Sequence, residues 1–249
     1  MQLSNAILAG RSFLSWRNVV YKIMLNNLET HAGWEVETGA DINPIIPSSF
    51  TFEQAPDGIL VITNTGAADA AGLLAFKVPF PALPTANMPY FGVDLEAMVP
   101  DDSLPLLRCL EVDLKAAQAS APAGGTLANV ADGSGQYNLA NGFWQIDTPA
   151  PNPVWENTPY EPTPLIADVW TPVSTRYNFD WSAGKFSVLS AKVGSDNPPA
   201  FPASLGDNPL LVTNWAACLA FQLQTCLMVA GTVKTYYRNI HLTISDTPF

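Results

Sequence analysis

The chain has 249 residues, of which 48% are hydrophobic and only 13% are charged, and its formal net charge is −11. This high apolar content excludes an intrinsically disordered chain, and the acidic balance excludes a protein that binds nucleic acid through a basic surface. The 22 prolines and 16 glycines are scattered rather than periodic, which is typical of many strands joined by irregular loops.

Residues 1–30 differ from the rest of the chain and are predicted to form an N-terminal arm. Residues 1–28 hold three basic residues and no acidic one, whereas the remainder holds all 22 acidic residues and eight basic ones. The arm is predicted to be a helix or an edge strand. It either packs on its own domain, or docks on a neighbouring copy in a homo-oligomer or on an anionic surface. The helical alternative depends on an apolar stripe at Phe13, Trp16, Val20, Ile23 and Met24.

The arm does not have the pattern of a standard signal peptide. Its first basic residue, Arg11, follows the apolar stretch "AILAG" instead of preceding a continuous hydrophobic run. No uncharged apolar window of about 18 residues occurs anywhere in the sequence, so no membrane-spanning helix is expected.

Residues 31–249 are predicted to form one domain of short strands. Segments rich in aromatic and β-branched residues alternate with turn residues, and no long helical period interrupts them. The predicted strands are residues 49–54, 58–64, 72–78, 90–99, 106–117, 142–147, 168–181, 184–194, 215–225 and 233–245. Strands without helices in one block of this length predict two packed antiparallel sheets, an all-β jelly-roll β-sandwich.

Two long segments between the strands are predicted to be loops. Residues 118–141 are rich in Gly, Ala and Ser, and residues 148–167 are rich in proline and display Trp155 and Tyr160. Loops of such length in a compact domain are usually functional or mobile. The second segment is therefore a candidate for the rim of a binding site, and the first is flexible by composition.

The three cysteines, Cys109, Cys218 and Cys226, are predicted to be small buried side chains in strands. One pair could form a disulfide in an oxidising compartment, which would leave one thiol over. The two histidines, His31 and His241, lie far apart in sequence, and no zinc, phosphate-loop or serine-nucleophile motif is present.

The order of segments from residue 90 to residue 245 resembles the concanavalin A-like lectin/glucanase superfamily, and especially the LamG-like jelly-roll domains of bacterial secreted proteins. The resemblance rests on "YFGVDLEAMV", "LEVDLK", "FWQIDT", "DVWTPVSTRYNFDWSAGKFSVLSAKVG", "CLAFQLQT" and "YYRNIHLTIS". Asn239 stands where the last strand of the family often has an aspartate. The resemblance implies a curved sandwich that binds carbohydrate on its concave face or rim loops, outside the cell or at its surface.

Calcium is the one cofactor that the resemblance implies, since legume lectins and LamG domains often carry it. The loop segments "DGSGQYN" (132–138) and "VGSDNPP" (193–199) offer oxygen ligands. Neither has the spacing of a twelve-residue calcium loop, so the sequence itself marks no metal site.

The segment "LEVDLK" (110–115) resembles part of a catalytic strand. Retaining β-glucanases of this superfamily place three carboxylates on one strand face in the pattern E-x-D-x-E. Glu111 and Asp113 match the first two positions, but Lys115 occupies the third and cannot act as a carboxylic acid. We therefore expect no catalytic activity, with an acid from another strand, Glu96 or Asp94, as the alternative.

The candidate ligand-binding residues combine polar side chains for sugar hydroxyls with aromatic rings for the apolar face of a sugar. Gln222 and Gln224 alternate with apolar neighbours and share one strand face, and either Trp144 or Gln145 projects from "FWQID". The candidates are Glu111, Asp113, Trp144, Trp155, Tyr160, Gln222 and Gln224.

Three functions are compatible with these features. The leading hypothesis is a non-catalytic, lectin-like domain that binds carbohydrate. The first alternative is a structural or assembly subunit whose arm, residues 1–28, docks on a neighbour, and the second is a β-glucanase-type hydrolase. A further interpretation of "LEVDLK" is a solvated ladder of Glu111, Asp113 and Lys115, with Lys115 or Arg176 partly neutralising the carboxylates.

Overall fold

The computed structural model describes residues 22–37, 48–79, 90–117, 130–148, 154–180, 185–202, 208–209 and 218–249. Within these ranges the chain forms fifteen strands and two short 3-10 helices, Leu28–Thr30 and Leu104–Leu106. The described part of the chain contains no helix long and apolar enough to cross a bilayer.

The strands are numbered in chain order. They are β1 (Lys22–Leu25), β2 (Trp34–Glu37), β3 (Ser48–Gln54), β4 (Leu60–Gly66), β5 (Ala71–Pro79), β6 (Tyr90–Met98), β7 (Leu107–Ala117), β8 (Val130–Asn138), β9 (Phe143–Thr148), β10 (Val154–Asn157), β11 (Thr171–Asp180), β12 (Lys185–Val193), β13 (Asn208–Pro209), β14 (Cys218–Leu227) and β15 (Gly231–Ser245).

The strands assemble into two antiparallel sheets. The eight-stranded sheet has the order β13-β12-β11-β6-β15-β4-β3, with β1 also paired to β15. The seven-stranded sheet has the order β10-β9-β8-β7-β14-β5-β2. Neighbouring strands such as β6 and β15, or β7 and β14, are far apart in sequence. Two antiparallel sheets with one core formed from both confirm the predicted sandwich.

The core lies between the two sheets. The eight-stranded sheet contributes fully buried side chains such as Ile62, Phe91 and Tyr237, and the seven-stranded sheet contributes Leu74 and Phe221. Burying an apolar side chain of this size contributes about 1.5–3 kcal/mol relative to leaving it in water. The inward face of each strand is therefore fixed by its apolar residues, and the alternate residues face outward.

All ten predicted strands are present, but both predicted loops were wrong in part. Strand β8 lies within the segment 118–141, and β10 lies within the segment 148–167. Residues 118–129 and 149–153 lie outside the described residues. Strand β8 reads "VADGSGQYN", whose glycines and polar residues have low β-propensity; pairing with β7 on one side and β9 on the other forms the strand.

Gly135 in β8 has a packing role. A Cβ placed on this residue would lie 3.1 Å from the ring of Trp144 in β9. The glycine thus leaves room for the indole, which covers the strand from the core side and is itself 1% exposed. This close approach explains why a glycine, and not a larger residue, occupies position 135 of the strand.

The described part of the N-terminal arm belongs to the sandwich. Strand β1 pairs with the last residues of β15, and Leu28 lies in the core at 1% exposure. Residues 22–25 therefore form a strand, not a helix, because the edge of β15 pairs with them. Residues 1–21 lie outside the described residues, and the proposed docking of the arm on a neighbour remains a prediction.

Candidate functional site

Strand β7 separates its polar and apolar residues onto opposite faces. Leu110, Val112 and Leu114 belong to the core between the sheets. Because side chains alternate along a strand, Glu111 and Asp113 project from the other face of the seven-stranded sheet. We call this outward surface the polar face. Its described polar residues on β7, β8, β9 and β14 are Glu111, Asp113, Ser134, Gln136, Asn138, Gln145, Asp147, Gln222 and Gln224, and Cys109 and Cys226 lie on the same side.

The strand register brings the predicted glutamines and carboxylates together. Gln222 lies directly opposite Asp113 on the paired strand, and Gln224 lies directly opposite Glu111. The Nε2 atom of Gln224 donates a hydrogen bond of 2.5 Å to Oε2 of Glu111. The backbone N–H of Gly135 donates to Oδ1 of Asp113 at 3.3 Å. Four of the predicted site residues therefore form one cluster.

A row of amide side chains continues this cluster towards the sheet edge. Gln136 and Asn138 on β8 both donate to Oε1 of Gln145 on β9, each at 2.9 Å. The Nε2 atom of Gln145 donates in turn to Oδ1 of Asn157 on β10 at 2.8 Å, and Asn141 donates to the same oxygen at 3.3 Å. This chain of hydrogen bonds fixes the orientation of every amide in the row.

The centre of the polar face is buried. Glu111 is 5% exposed, Asp113 is 1% exposed and Gln222 is fully buried. The interpretation of "LEVDLK" as a solvated ladder is therefore wrong for the two carboxylates. Arg176 does not neutralise them either, because it lies on β11 in the other sheet, where it pairs with Asp94 at 2.7 Å.

The two alternative sources of a catalytic acid lie in the other sheet. Asp94 and Glu96 are on β6, and Glu96 accepts a hydrogen bond of 2.6 Å from Arg238. They cannot complete a carboxylate pair with Glu111, since the core lies between the two sheets. Lys115 has Ala220 and Asp132 as its backbone partners on the neighbouring strands, and its side chain is outside the described part.

The structure places two of the predicted aromatic residues in the core. Trp144 packs against Gly135 on the inner side of the sheet, and the alternative named for this strand, Gln145, is the residue that faces outward. Tyr160 is 4% exposed, and its hydroxyl donates to Oδ2 of Asp196 at 2.8 Å. Burial raises the pKa of Tyr160 above its ordinary value, so the hydroxyl stays a proton donor at neutral pH.

The carboxylate of Asp196, three residues after the end of β12, accepts hydrogen bonds from Tyr160 and Thr163. The backbone N–H and the hydroxyl of Thr163 donate to its carboxylate at 2.8 and 2.7 Å. Burial raises the pKa of Asp196, but the hydrogen bonds from Thr163 and Tyr160 outweigh it, and the net pKa is lower than usual. Since these donors occupy both of its oxygens, Asp196 connects the segment after β10 to the end of β12.

Trp155 lies where the amide row reaches the outermost described strand. Trp155 lies directly opposite Asp147 on β9, and Asn157 follows Trp155 two residues later on β10. Since residues two apart on a strand and residues directly opposite on paired strands share a face, all three side chains lie on the polar face. Trp155 and Asp147 are half-buried, whereas Asn157 and Asn141 are exposed. A ligand can reach these groups without displacing the buried centre of the face.

Among the described residues one group of side chains could bind a metal ion. The ligand atoms of Cys109, Glu111 and Cys226 lie within 4.8 Å of one another. Calcium prefers six to eight oxygen ligands, so two sulfurs do not fit it. The segment 132–138 that offered oxygen ligands lies in β8, and Asp196 of the second segment is engaged as described above.

One sequence pattern indicates the polar residues of β8, which were not among the predicted site residues. Ser134, Gln136 and Asn138 alternate with Gly133, Gly135 and Tyr137, which is the period of a strand with one polar face. Composition favoured a loop for this segment, and only the alternation indicated that its polar residues share one face.

The comparison with solved structures supports the fold, and the other two comparisons found no match. No protein-family model matches the chain, and no curated protein matches its sequence. Among solved structures the chain is similar to arcelin-5, a lectin-like defence protein from Phaseolus vulgaris, with a TM-score of 0.50, 13% identity, and coverage of 90% of this chain and 98% of that one. It is similar to peanut lectin in complex with a nine-residue peptide, with a TM-score of 0.50, 14% identity, and coverage of 92% and 98%.

Structural similarity at sequence identities this low is evidence for the fold alone. Both structures are concanavalin A-like jelly rolls, and the strand order of the two sheets in this chain fits the same architecture. The chain therefore has a concanavalin A-like jelly-roll fold, as the resemblance implied.

Proposed function

We propose that the chain is a non-catalytic carbohydrate-binding domain whose ligand contacts the β9–β10 end of the polar face. The observation that carries this proposal is the position of Trp155, half-buried beside Asn157 at the end of a hydrogen-bonded amide row. A sugar presents hydroxyls around its ring edge and C–H groups on its face. The combination of an indole with amides and a carboxylate matches both surfaces.

The amide row would supply oriented partners to such a ligand. The Nε2 atom of Gln145 donates a hydrogen bond to Oδ1 of Asn157. The NH2 group of Asn157 therefore points away from Gln145 and can donate to a sugar oxygen. The buried Gln136 and Asn138 hold Gln145 in turn. Preorganised polar groups lower the entropic cost of binding.

The absence of catalysis is part of the proposal. Glycoside hydrolysis uses two carboxyl groups that flank the scissile bond. Glu111 accepts the amide hydrogen of Gln224 and is 5% exposed, and Lys115 occupies the position of the third carboxylate in the strand. A scissile bond cannot approach Glu111 without displacing its neighbours.

The proposal is tested by glycan-array screening followed by affinity gel electrophoresis with the polysaccharides that bind. Trp155→Ala and Asn157→Ala should each weaken binding about tenfold, which corresponds to about 1.4 kcal/mol. Trp170→Ala is the matched control, because Trp170 lies under the guanidinium of Arg238 on the other sheet. Binding that is unchanged in Trp155→Ala, or absent for every glycan, would refute the proposal.

The second candidate function is a structural or assembly subunit. It is favoured by the burial of Asp113 and Gln222, since a face with a buried centre is not an open groove along its whole length. Light scattering after size-exclusion chromatography, with and without residues 1–21, tests it. Retaining residues 22–30 keeps β1 and Leu28 in place, and a monomer in both cases would remove this candidate.

A further inference from the structure

Cys109 and Cys226 face each other across the middle of the seven-stranded sheet. They lie directly opposite each other on the paired strands β7 and β14. These two strands lie inside the sheet, with at least two further strands on each side. Directly opposed residues on antiparallel strands have Cα atoms about 4.5–5.5 Å apart, and disulfides span about 4.4–6.8 Å between Cα atoms. The strand register therefore supplies the backbone geometry of a disulfide.

The two thiols are free and in contact. Their sulfur atoms lie within 4.8 Å of each other and of the Glu111 carboxylate, and the thiol of Cys109 is hydrogen-bonded to Cys226. The Nε2 atom of Gln224 approaches the sulfur of Cys226 at 3.6 Å. Joining the sulfurs requires rotation of two side chains and no change of strand pairing.

The two cysteines differ in the way that an attacking and a resolving thiol differ. Cys226 is half-buried, whereas Cys109 is 1% exposed. The hydrogen bond from Cys109 lowers the pKa of Cys226 against the opposing effect of burial, and Gln224 and Arg108 lower it further. The bond to Cys226 together with burial raises the pKa of Cys109. The thiol of the less buried residue, Cys226, is thus the one that reaches the thiolate state more easily.

We propose that Cys109 and Cys226 are a redox-active pair that closes a disulfide across the seven-stranded sheet, with a small-molecule disulfide such as oxidised glutathione as the oxidant. The thiolate of Cys226 attacks one sulfur of glutathione disulfide, breaks its S–S bond and releases one glutathione. The thiol of Cys109 then attacks the sulfur of Cys226 and breaks the mixed disulfide, and its proton passes to the second glutathione as that thiol leaves. Two electrons pass from the protein to the oxidant, and one protein S–S bond is formed.

A metal ion fits this place less well than a disulfide. A structural zinc site takes four protein ligands, and the described cluster provides three. The amide N–H groups of Gln224 are directed at Glu111 and at Cys226, where a cation would have to lie. This donor stabilises an anionic sulfur and carboxylate without a metal.

The disulfide would constrain the unfolded chain strongly, because it links residues 117 positions apart in sequence. We expect the melting temperature of the oxidised protein to exceed that of the reduced protein by about 5–10 °C. The same bond would fix β7 to β14 next to the Gln224–Glu111 pair, independently of whether the polar face binds carbohydrate.

The experiment uses the full chain, equilibrated with reduced and oxidised glutathione over a thousandfold range of ratios and then alkylated under denaturing conditions. Trypsin releases "CLEVDLK" after Arg108, and chymotrypsin after Phe221 separates Cys226 from Cys218. The expected product is a crosslinked peptide that joins Cys109 to Cys226, with Cys218 alkylated. Its fraction should rise with the share of oxidised glutathione, and the melting temperature should rise with it.

Two variants separate this pair from other thiol chemistry. Cys218→Ser should keep both the crosslink and the shift in melting temperature, whereas Cys226→Ser should lose both while remaining folded in its circular dichroism spectrum. The proposal fails if Cys218 appears in the crosslink, or if Cys226 stops at a mixed disulfide with glutathione. It also fails if all three thiols are alkylated at every ratio, or if stoichiometric zinc is retained on the purified chain and blocks oxidation.

Discussion

The carboxylate of Glu29 accepts a hydrogen bond of 2.9 Å from the backbone N–H of Ile240 and another of 3.1 Å from the N–H of Asn239. These two residues lie at the irregularity of β15, between the part that pairs with β4 and the part that pairs with β1. Asn239 has a φ of 52° there. A side chain from the N-terminal segment thus takes the place of a strand partner at this point of β15, the longest described strand.

Replacing Glu29 should test this contact. Glu29→Ala leaves the N–H of the buried Ile240 without its acceptor, so we expect a loss of about 2–3 kcal/mol in the free energy of unfolding. Urea denaturation followed by tryptophan fluorescence measures it. Glu53→Ala, at an exposed position of β3, should change stability by less than about 0.5 kcal/mol. Equal losses in the two variants would contradict the role given to Glu29.

Gly72 should not tolerate a side chain. A Cβ at this position in β5 would lie 1.8 Å from a ring carbon of Phe50 in β3, so Gly72→Ala must displace the ring. We expect a cost of about 1–3 kcal/mol from this overpacking. In a Phe50→Ala background the same substitution should cost much less, since the clash is gone. Strict additivity in this double-mutant cycle would show that the contact does not limit position 72.

The amide row should depend on Gln145. Gln145→Leu removes the acceptor of two buried amides, those of Gln136 and Asn138, and we expect a cost of about 2–4 kcal/mol. It also releases Asn157, so any carbohydrate affinity should fall with it. Glu156→Gln, at an exposed position of β10, serves as the control. A Gln145→Leu variant with unchanged stability would mean that water replaces the lost acceptor.

Asp196 should give the protein a pH-dependent increment of stability. Its pKa in the folded protein lies below the ordinary value of 3.8, so the folded state holds the ionised form more strongly than the unfolded state does. The contribution is therefore present above about pH 4 and is lost as the pH falls through the folded-state pKa. We expect the stability difference between wild type and Asp196→Asn to shrink below pH 4 in urea titrations. A constant difference from pH 7 to pH 2 would exclude this linkage.

Local sequence patterns predicted ten of the fifteen described strands, together with the outward faces of β7 and β14. In "LEVDLK" and "CLAFQLQT" the alternation of apolar and polar residues is unambiguous, because an apolar side chain that faces water and a polar one that faces the core are both costly. The ten predicted strands, the sandwich and the shared face of Glu111, Asp113, Gln222 and Gln224 all followed from this local rule.

Contacts between strands set which residues meet and which remain exposed. The composition of β8 favours a loop, and its pairing between β7 and β9 overrides that preference. Trp144 lies in the core while Trp155 lies on the polar face, since the register of β9 with β8 and β10 assigns each ring to a side. The pairing of Cys109 with Cys226 and the burial of Glu111 have the same origin: they depend on contacts between strands more than 100 residues apart, which no local pattern encodes.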